Sequence, residues 1–187
     1  MSAVNENKQF VKVMDYIPDI LVDLPYATDH NFVGCAFYQF SDAWLRLGTV
    51  KKLERAQAAL RKLGLGLKIW DAFRPVSAQY LLWEVLPDPR YVADPHRGFS
   101  NHSRGNCVDV TLVDRQGQPV KMPSGFDCFQ EAALCQDGEA LAHAELLKKT
   151  MVRAGFRPLE EEWWHFVDRD GYEVEKEFIP IQKEENS

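Results

Sequence analysis

Two short segments of this chain place metal-binding residue types in apolar, strand-forming surroundings. The first contains His102 and Asp109, and the second contains His165. Two imidazoles and one carboxylate suit Zn²⁺, which in catalytic sites usually keeps three protein ligands and leaves a fourth position for water. Glu162, three positions before His165, is placed to act as a general base on that water. The chemistry indicated is metal-assisted hydrolysis.

Each segment, taken alone, also fits a purely structural role. His102 could be a core histidine hydrogen-bonded to a buried Asp109, and His165 could simply pack between the aromatic residues beside it. Single short motifs carry a high risk of false positives. At the level of the residues alone, a metal site and a structural role therefore both stay open.

Strands must position these side chains. After Gly105, residues 108–113 are rich in β-branched side chains and predict a strand entered through a glycine turn. A carboxylate inside such a strand needs a partner, because an isolated buried charge is costly. Residues 163–167 predict a second strand. Glu162 and His165 would face opposite sides of a regular strand, so we expect Glu162 at the strand entrance or at a bulge there.

The remaining pattern predicts an α+β fold, with a mainly antiparallel central sheet that carries the metal site on one side and helices packed on the other. The predicted helices cover residues 49–63, 76–86 and 139–154. Further strands are predicted at residues 65–73, in an early segment interrupted at Pro18, and at residues 120–122 as the return of a hairpin. Arg74 falls at a strand-to-helix junction, where an ordinary surface ion pair is the alternative to a catalytic role.

At these residues the chain resembles a known family, the D-alanyl-D-alanine dipeptidases of the vancomycin-resistance type. The family pattern Ser-x-His-x-x-Gly-x-x-x-Asp appears at residues 100–109, and its Glu-x-x-His pattern at residues 162–165. Residues 26–34, 71–75 and 125–127 resemble three further family segments. Five motifs in the family order make a purely structural role hard to sustain.

The resemblance implies hydrolysis of the dipeptide D-Ala-D-Ala by one Zn²⁺ per chain, held by His102, Asp109 and His165. It implies that Glu162 is the base and that Arg74 stabilises negative charge on the attacked carbonyl. It also implies that four residues hold the charged ends of the dipeptide: Tyr26, Tyr38, Ser100 and Asp127. From the residues alone, Asp127 also fits a turn or helix-cap position.

Cys107 departs from the family pattern, in which we expect a small residue such as Ala. We expect it to pack as a small apolar group. Nothing near it in the sequence indicates a lowered thiol pKa, which disfavours a thiol hydrolase that uses Cys107 with His102. The four cysteines show no C-x-x-C spacing and are predicted to be reduced and mostly buried.

The composition favours a small-molecule substrate. A net charge of −6, without a basic run, argues against nucleic acid or an anionic membrane surface as partner. The 187 residues predict a single domain, with residues 1–9 and about 180–187 as loose tails. No signal-peptide core and no stretch near the ~20 apolar residues of a membrane span is present, so a cytoplasmic location is predicted. A homo-oligomer is compatible with this pattern.

Two other functions stay under consideration. A zinc carboxypeptidase that trims D-Ala from longer cell-wall peptides would use the same chemistry, and the absence of a wall-binding module in this sequence favours the dipeptidase. A non-catalytic zinc-containing binding module would be free to lose Glu162, which is present.

Overall fold

A central five-stranded sheet organises the molecule, in a computed structural model that describes residues 6–89 and 92–180. The strands are β1 (Phe10–Lys12), β2 (Leu21–Val22), β3 (Trp44–Arg46), β4 (Leu65–Asp71), β5 (Cys107–Asp114), β6 (Phe156–Leu159) and β7 (Glu162–Asp168). The sheet order is β2-β4-β5-β7-β6, in which β2 runs parallel to β4 and the other neighbours are antiparallel. β1 and β3 form a separate antiparallel pair. The predicted α+β class is confirmed.

Four α-helices accompany the strands in the described residues. They are α1 (Leu47–Arg61), α2 (Val76–Val85), α3 (Phe129–Leu134) and α4 (Gly138–Ala154). α1, α2 and α4 agree with the predicted helices to within two residues at each end. The sequence does not predict α3, because none of its side chains is buried and no apolar spacing marks it. Among the described residues, no helix combines the length and apolar character needed to cross a bilayer.

Helix ends follow the chemistry of their capping residues. The side chain of Asp137 accepts hydrogen bonds from two backbone amides in the first turn of α4. Gly155, with φ of 110°, ends the same helix in the left-handed conformation that glycine adopts without strain. These caps define both ends of α4, which packs against the sheet and beside α1.

The two faces of β5 have different partners. Val108, Val110 and Leu112 belong to the main apolar core, which they share with side chains of α1 and α4. Because successive side chains of a strand alternate between faces, Cys107 and Asp109 point to the opposite face. The candidate metal residues therefore lie on the side of the sheet away from α1 and α4, as predicted.

The strand pairing is irregular at two places, one between β4 and β5 and one between β6 and β7. In β4 the register shifts between Ile69 and Asp71, so that Asp71 becomes the Cα partner of Asp109. Between β6 and β7 the register shifts at Leu159, which pairs with Glu162. A bulge re-aims the side chains beside it. The expectation of an irregular strand entrance at Glu162 is confirmed.

Two local predictions need revision. The predicted hairpin return at residues 120–122 is not a strand: Val113 and Pro119 form an isolated bridge, with backbone hydrogen bonds from Val120 N to Leu112 O and from Asp114 N to Gln118 O. Pro119 has no N–H with which to extend the pairing. The early apolar segment forms two strands, β1 and β2, in different sheets.

Of the predicted loose tails, residues 1–5 and 181–187 lie outside the described residues. Glu6–Lys8 form a short 3-10 turn. Near the other end, Phe178, which precedes the predicted tail, stacks on Phe10 with ring centres 4.5 Å apart.

Candidate metal centre and active site

His102 is held by a short turn that its own sequence neighbours build. The 3-10 turn Asn101–Arg104 begins after Ser100, whose Oγ accepts a hydrogen bond from His102 N at 3.3 Å. The turn ends at Gly105, where φ is 73° and an added Cβ would collide with the ring of Phe10. The Ser-x-His-x-x-Gly pattern is thus a local device that directs the buried His102 side chain toward β5.

The ring of His102 has a defined orientation. Its Nδ1 lies 2.8 Å from the carbonyl oxygen of Ala72, and its Nε2 lies 3.4 Å from Asp109 Oδ2. When Nδ1–H donates to that carbonyl, the lone pair of Nε2 faces Asp109. A backbone carbonyl is a common partner for the second nitrogen of a metal-binding histidine.

Asp109 and His165 are Cα partners on β5 and β7. His165 Nδ1 lies 3.0 Å from Asp109 Oδ1 in an ion pair, but no hydrogen bond to this buried oxygen is found among the described residues. A buried carboxylate oxygen without a hydrogen bond is costly unless a cation binds it. Donor atoms of four residues all lie within 4.8 Å of one another: His102, Cys107, Asp109 and His165. Their chemistry, and the buried oxygen that lacks a hydrogen bond, fit a divalent metal ion.

The charges in this cluster shift the pKa values of its members. Burial alone would lower the pKa of His165, but the negative charges of Cys107 and Asp109 raise it to about 10. Burial likewise opposes charge on His102, and the same anions raise its pKa. For Asp109, burial raises the pKa, and the two imidazolium groups outweigh it and hold the pKa below its usual range. In the metal-free site, protons on His102 and His165 thus provide the positive charge that a bound metal ion would supply.

Cys107 belongs to this cluster, contrary to expectation. Its Sγ lies 3.4 Å from His102 Nε2 and 3.2 Å from His165 Nε2. Burial raises the pKa of the thiol, but the adjacent imidazolium groups outweigh it and lower the pKa below its ordinary value. The prediction of plain apolar packing was wrong because His165 is distant in the sequence. The available signal was the spacing of Cys107 and Asp109, which places both on one face of a strand.

Glu162 lies at the edge of the cluster. Its Oε2 is 3.3 Å from His165 Nδ1. Burial, followed by the nearby charge of Asp109, raises the pKa of this carboxyl. A carboxylate beside the metal-binding residues, with an affinity for protons above normal, has the properties of a general base.

Arg74 is a buried, fixed cation. Its Nη2 donates to Asp71 Oδ2 at 2.7 Å and its Nη1 to Gln79 Oε1 at 3.2 Å, while Nε has no hydrogen-bond partner in the described chain. Burial would lower the pKa of Arg74, and the charge of Asp71 raises it. The partner carboxylate is itself buried, which differs from the ordinary surface ion pair considered above. Asp71 positions Arg74, a role that was not predicted from the sequence.

The four predicted substrate-binding residues have different surroundings. Tyr26 donates a 2.6 Å hydrogen bond to Asp127 Oδ2, and its ring centre lies 5.4 Å from the Arg74 guanidinium carbon. Tyr38 donates to Asp71 Oδ1 at 2.7 Å. Ser100 caps the turn that carries His102. Tyr26, Tyr38 and Asp127 therefore lie around Arg74, and Ser100 supports the metal cluster.

Asp127 has an unusual backbone and an unusual affinity for protons. Its φ is 57°, in the left-handed region, which aspartate tolerates better than most residues. Burial raises the pKa of its carboxyl to about 7, and the hydrogen bond from Tyr26 opposes the shift only in part. It also lines a cavity of about 370 Å³ with Phe32, Leu86 and Phe129.

Comparison with known proteins identifies the family of this chain. The sequence model of the D-Ala-D-Ala dipeptidase family matches residues 6–184. The chain is 35% identical to the D-alanyl-D-alanine dipeptidase of Escherichia coli over 167 residues, which covers 87% of this chain and 86% of that protein. It is 31% identical over 187 residues to that of Streptomyces coelicolor, covering 84% and 90%, and 30% over 169 residues to that of Enterococcus faecalis, covering 77% and 83%. The chain is a metallopeptidase that belongs to the D-Ala-D-Ala dipeptidase family.

Proposed function

We propose that this protein hydrolyses D-Ala-D-Ala to two molecules of D-alanine, with one Zn²⁺ bound by His102, Asp109 and His165. The observation that carries the proposal is the position of Glu162, 3.3 Å from His165 at the edge of the donor cluster. The relatives named above as D-alanyl-D-alanine dipeptidases support the choice of substrate.

Zinc fits these donors because imidazole nitrogen and carboxylate oxygen are among its usual ligands. When bound, it polarises the peptide carbonyl and lowers the pKa of water. The protein prepares the site by fixing its ligands: Ala72 O holds His102 Nδ1, and the pairing of β5 with β7 places His165 beside Asp109.

Glu162 moves the proton. Its carboxylate accepts a proton from the attacking water and returns it to the amine that leaves as the peptide bond breaks. Because burial and Asp109 raise the pKa of Glu162, it holds that proton more readily than an exposed glutamate does.

Arg74 stabilises the negative charge that develops on the carbonyl oxygen. Its guanidinium is already held by Asp71 and Gln79, so little reorganisation is required when that charge appears. Tyr38 contributes indirectly, because it holds the other oxygen of Asp71.

Asp127 suits the ammonium end of the dipeptide. The carboxylate is partly buried, lies near Arg74 and receives one hydrogen bond from Tyr26, which leaves acceptor capacity for a cation. Its raised pKa means that it reaches its fully charged form only above about pH 7.

A zinc carboxypeptidase acting on longer peptides that end in D-Ala-D-Ala is the second candidate. The cavity of about 370 Å³ beside Asp127 favours it, because residues preceding the dipeptide would need such a space.

We also propose that the protein is a single domain that acts on a small molecule in the cytoplasm. This proposal is supported by four free thiols, which fit a reducing compartment, and by the net negative charge.

The test is release of D-alanine from D-Ala-D-Ala and from a longer peptide with the same end, by metal-depleted and zinc-restored protein. Glu162→Gln is expected to lower kcat by about 10² to 10⁴ while the bound zinc stays unchanged. Glu161→Gln is the matched control, since Glu161 is exposed and adjacent. Cleavage of the longer peptide alone would replace the dipeptidase with the carboxypeptidase, and no cleavage of either would overturn both.

A further inference from the structure

Cys107 has no task in the mechanism above, yet its sulfur lies among the metal-binding atoms. We propose that Cys107 is a fourth protein donor of the metal centre, which gives this chain a His-Cys-Asp-His ligand set. The inference rests on the proposed metal centre and deepens it. It concerns which atoms fill the coordination positions, not which reaction the site performs.

The strand geometry brings the sulfur to the site. Cys107 and Asp109 are two residues apart on β5, so their side chains share a face. On the neighbouring strand β7, His165 is the Cα partner of Asp109. His102 approaches from the turn that precedes β5. The four side chains thus converge from two strands and one turn.

Three of the distances between donor atoms are close to those expected around a single tetrahedral ion. Ligand atoms that are about 2.0 to 2.3 Å from such an ion lie roughly 3.3 to 3.6 Å from one another. Cys107 Sγ is 3.4 Å from His102 Nε2 and 3.2 Å from His165 Nε2. The distance from His102 Nε2 to Asp109 Oδ2 is 3.4 Å. The sulfur is therefore spaced from both imidazoles much as a ligand would be.

The surroundings of the cluster point to a cation independently of the cysteine. Asp109 is 3% exposed, and its Oδ1 has no hydrogen bond in the described chain. Cys107 is fully buried, and the polar contacts recorded for its sulfur in the same part of the chain are those with the two imidazoles. Solvent therefore does not compete for either group. A cation placed among the four side chains would satisfy both.

A fourth protein donor changes what the site prefers to bind. Thiolate is a soft ligand, and it favours zinc and softer ions over the hard ions that oxygen ligands prefer. It also competes with water for the open position of a three-ligand catalytic site. Removal of the sulfur is thus expected to weaken metal binding, more for Cd²⁺ than for Zn²⁺, while activity per bound metal is maintained or increased.

Cobalt substitution of the full chain tests the proposal with a spectroscopic signal. A thiolate bound to Co²⁺ gives a charge-transfer band in the near ultraviolet that nitrogen and oxygen ligands do not give. We expect the wild-type protein to bind one Co²⁺ and show this band. Cys107→Ala and Cys107→Ser, of which the second keeps the side-chain size, should bind Co²⁺ and lose the band. Cys128→Ala, which removes a half-buried thiol outside the cluster, should keep it.

The outcomes separate this proposal from the proposed function. If wild-type protein binds Co²⁺ without the band, or if both Cys107 variants keep the band, the fourth donor is disproved while the three-ligand metal centre stands. If wild-type protein binds no Co²⁺ and no Zn²⁺, the metal centre itself is disproved, and the fourth donor with it. A tenfold or greater loss of Cd²⁺ affinity in both variants, with a smaller loss for Zn²⁺, would support the proposal further.

Discussion

Asp71 and Asp109 lie opposite each other on neighbouring strands, but these two buried carboxylates have different hydrogen-bonding and charged partners. Asp71 accepts hydrogen bonds from Tyr38 Oη and Arg74 Nη2, both at 2.7 Å, and from the backbone N–H of Ala72 at 2.9 Å. Its charge is matched by a permanent cation. The hydrogen bonds and the charge of the Asp71 carboxylate are therefore satisfied within the protein, and its role is structural.

Asp109 has no such permanent cation beside it. Its neighbours are His102, His165 and Cys107, each of which can present a lone pair, and its Oδ1 has no hydrogen bond in the described chain. The two imidazoles balance its charge only while they are protonated, and a bound metal ion would take over that role. The comparison shows that burial of a carboxylate does not by itself mark a binding site. What its neighbours donate or accept decides the role.

The strongest test of this difference is Asp109→Ala. The substitution should lower zinc affinity and activity at limiting zinc by about 10³-fold or more, because a zinc site is worth on the order of 10 kcal/mol and loses one of its few donors. Metal content after dialysis and the rate of D-alanine release measure the effect. Asp114→Ala, at the far end of the same strand, is the control and should keep its metal.

Asp71→Asn should lower the stability of the protein and leave its zinc binding intact. It leaves Arg74 as a buried charge without its counterion, which we expect to cost about 3 to 5 kcal/mol of unfolding free energy. Denaturant titration measures this cost, and the variant should still bind one zinc ion. Asp19→Asn removes a carboxylate from the half-exposed pair with Arg61, so it should cost less than about 1 kcal/mol. Metal loss from Asp71→Asn without loss of stability would contradict the distinction between the two carboxylates.

The carboxylate of Asp127 is satisfied less fully than that of Asp71. It accepts one short hydrogen bond, from Tyr26, and its pKa is about 7. The folded protein retains this proton up to about pH 7, whereas the unfolded chain releases it near the ordinary value of 3.8. Stability contributed by the retained proton is therefore lost as the pH rises toward 7. Between pH 5 and pH 8 we expect this group to lower the unfolding free energy of metal-free protein by roughly 2 to 3 kcal/mol.

Asp127→Asn should remove that part of the pH dependence. Unfolding curves of the wild-type and variant proteins at both pH values measure it. An unchanged difference between pH 5 and pH 8 would show that the Asp127 carboxyl does not bind a proton in this range.

Ser100→Ala should have the smallest effect. Loss of the hydrogen bond to His102 N is expected to cost about 1 kcal/mol of stability, as for other capping residues, and to weaken zinc binding less than tenfold. Thermal unfolding and zinc titration measure these effects. A large rise in KM for the dipeptide with unchanged stability would instead support the substrate-binding role that the family resemblance implies for Ser100.

Much of the fold follows from local patterns in the sequence. The apolar spacing in α1 and α4, the β-branched run of β5 and the glycine before it depend on neighbours within one turn or one strand, so they are readable without tertiary information. The family motifs also identified the residues that the fold brings together. Even the irregular entrance of β7 could be inferred, because Glu162 and His165 would otherwise face apart.

Other features were decided only by the tertiary structure. Tyr26 and Asp127, which share a hydrogen bond, are 101 residues apart in the chain. The bulge in β4 that brings Asp71 opposite Asp109 has no local signature, and Cys107 reads as a small apolar residue until His102 and His165 lie beside it. The physical reason is that charge, hydrogen bonding and metal coordination depend on which groups meet within a few ångströms. The sequence specifies the donors, and the packing of the sheet determines which of them meet.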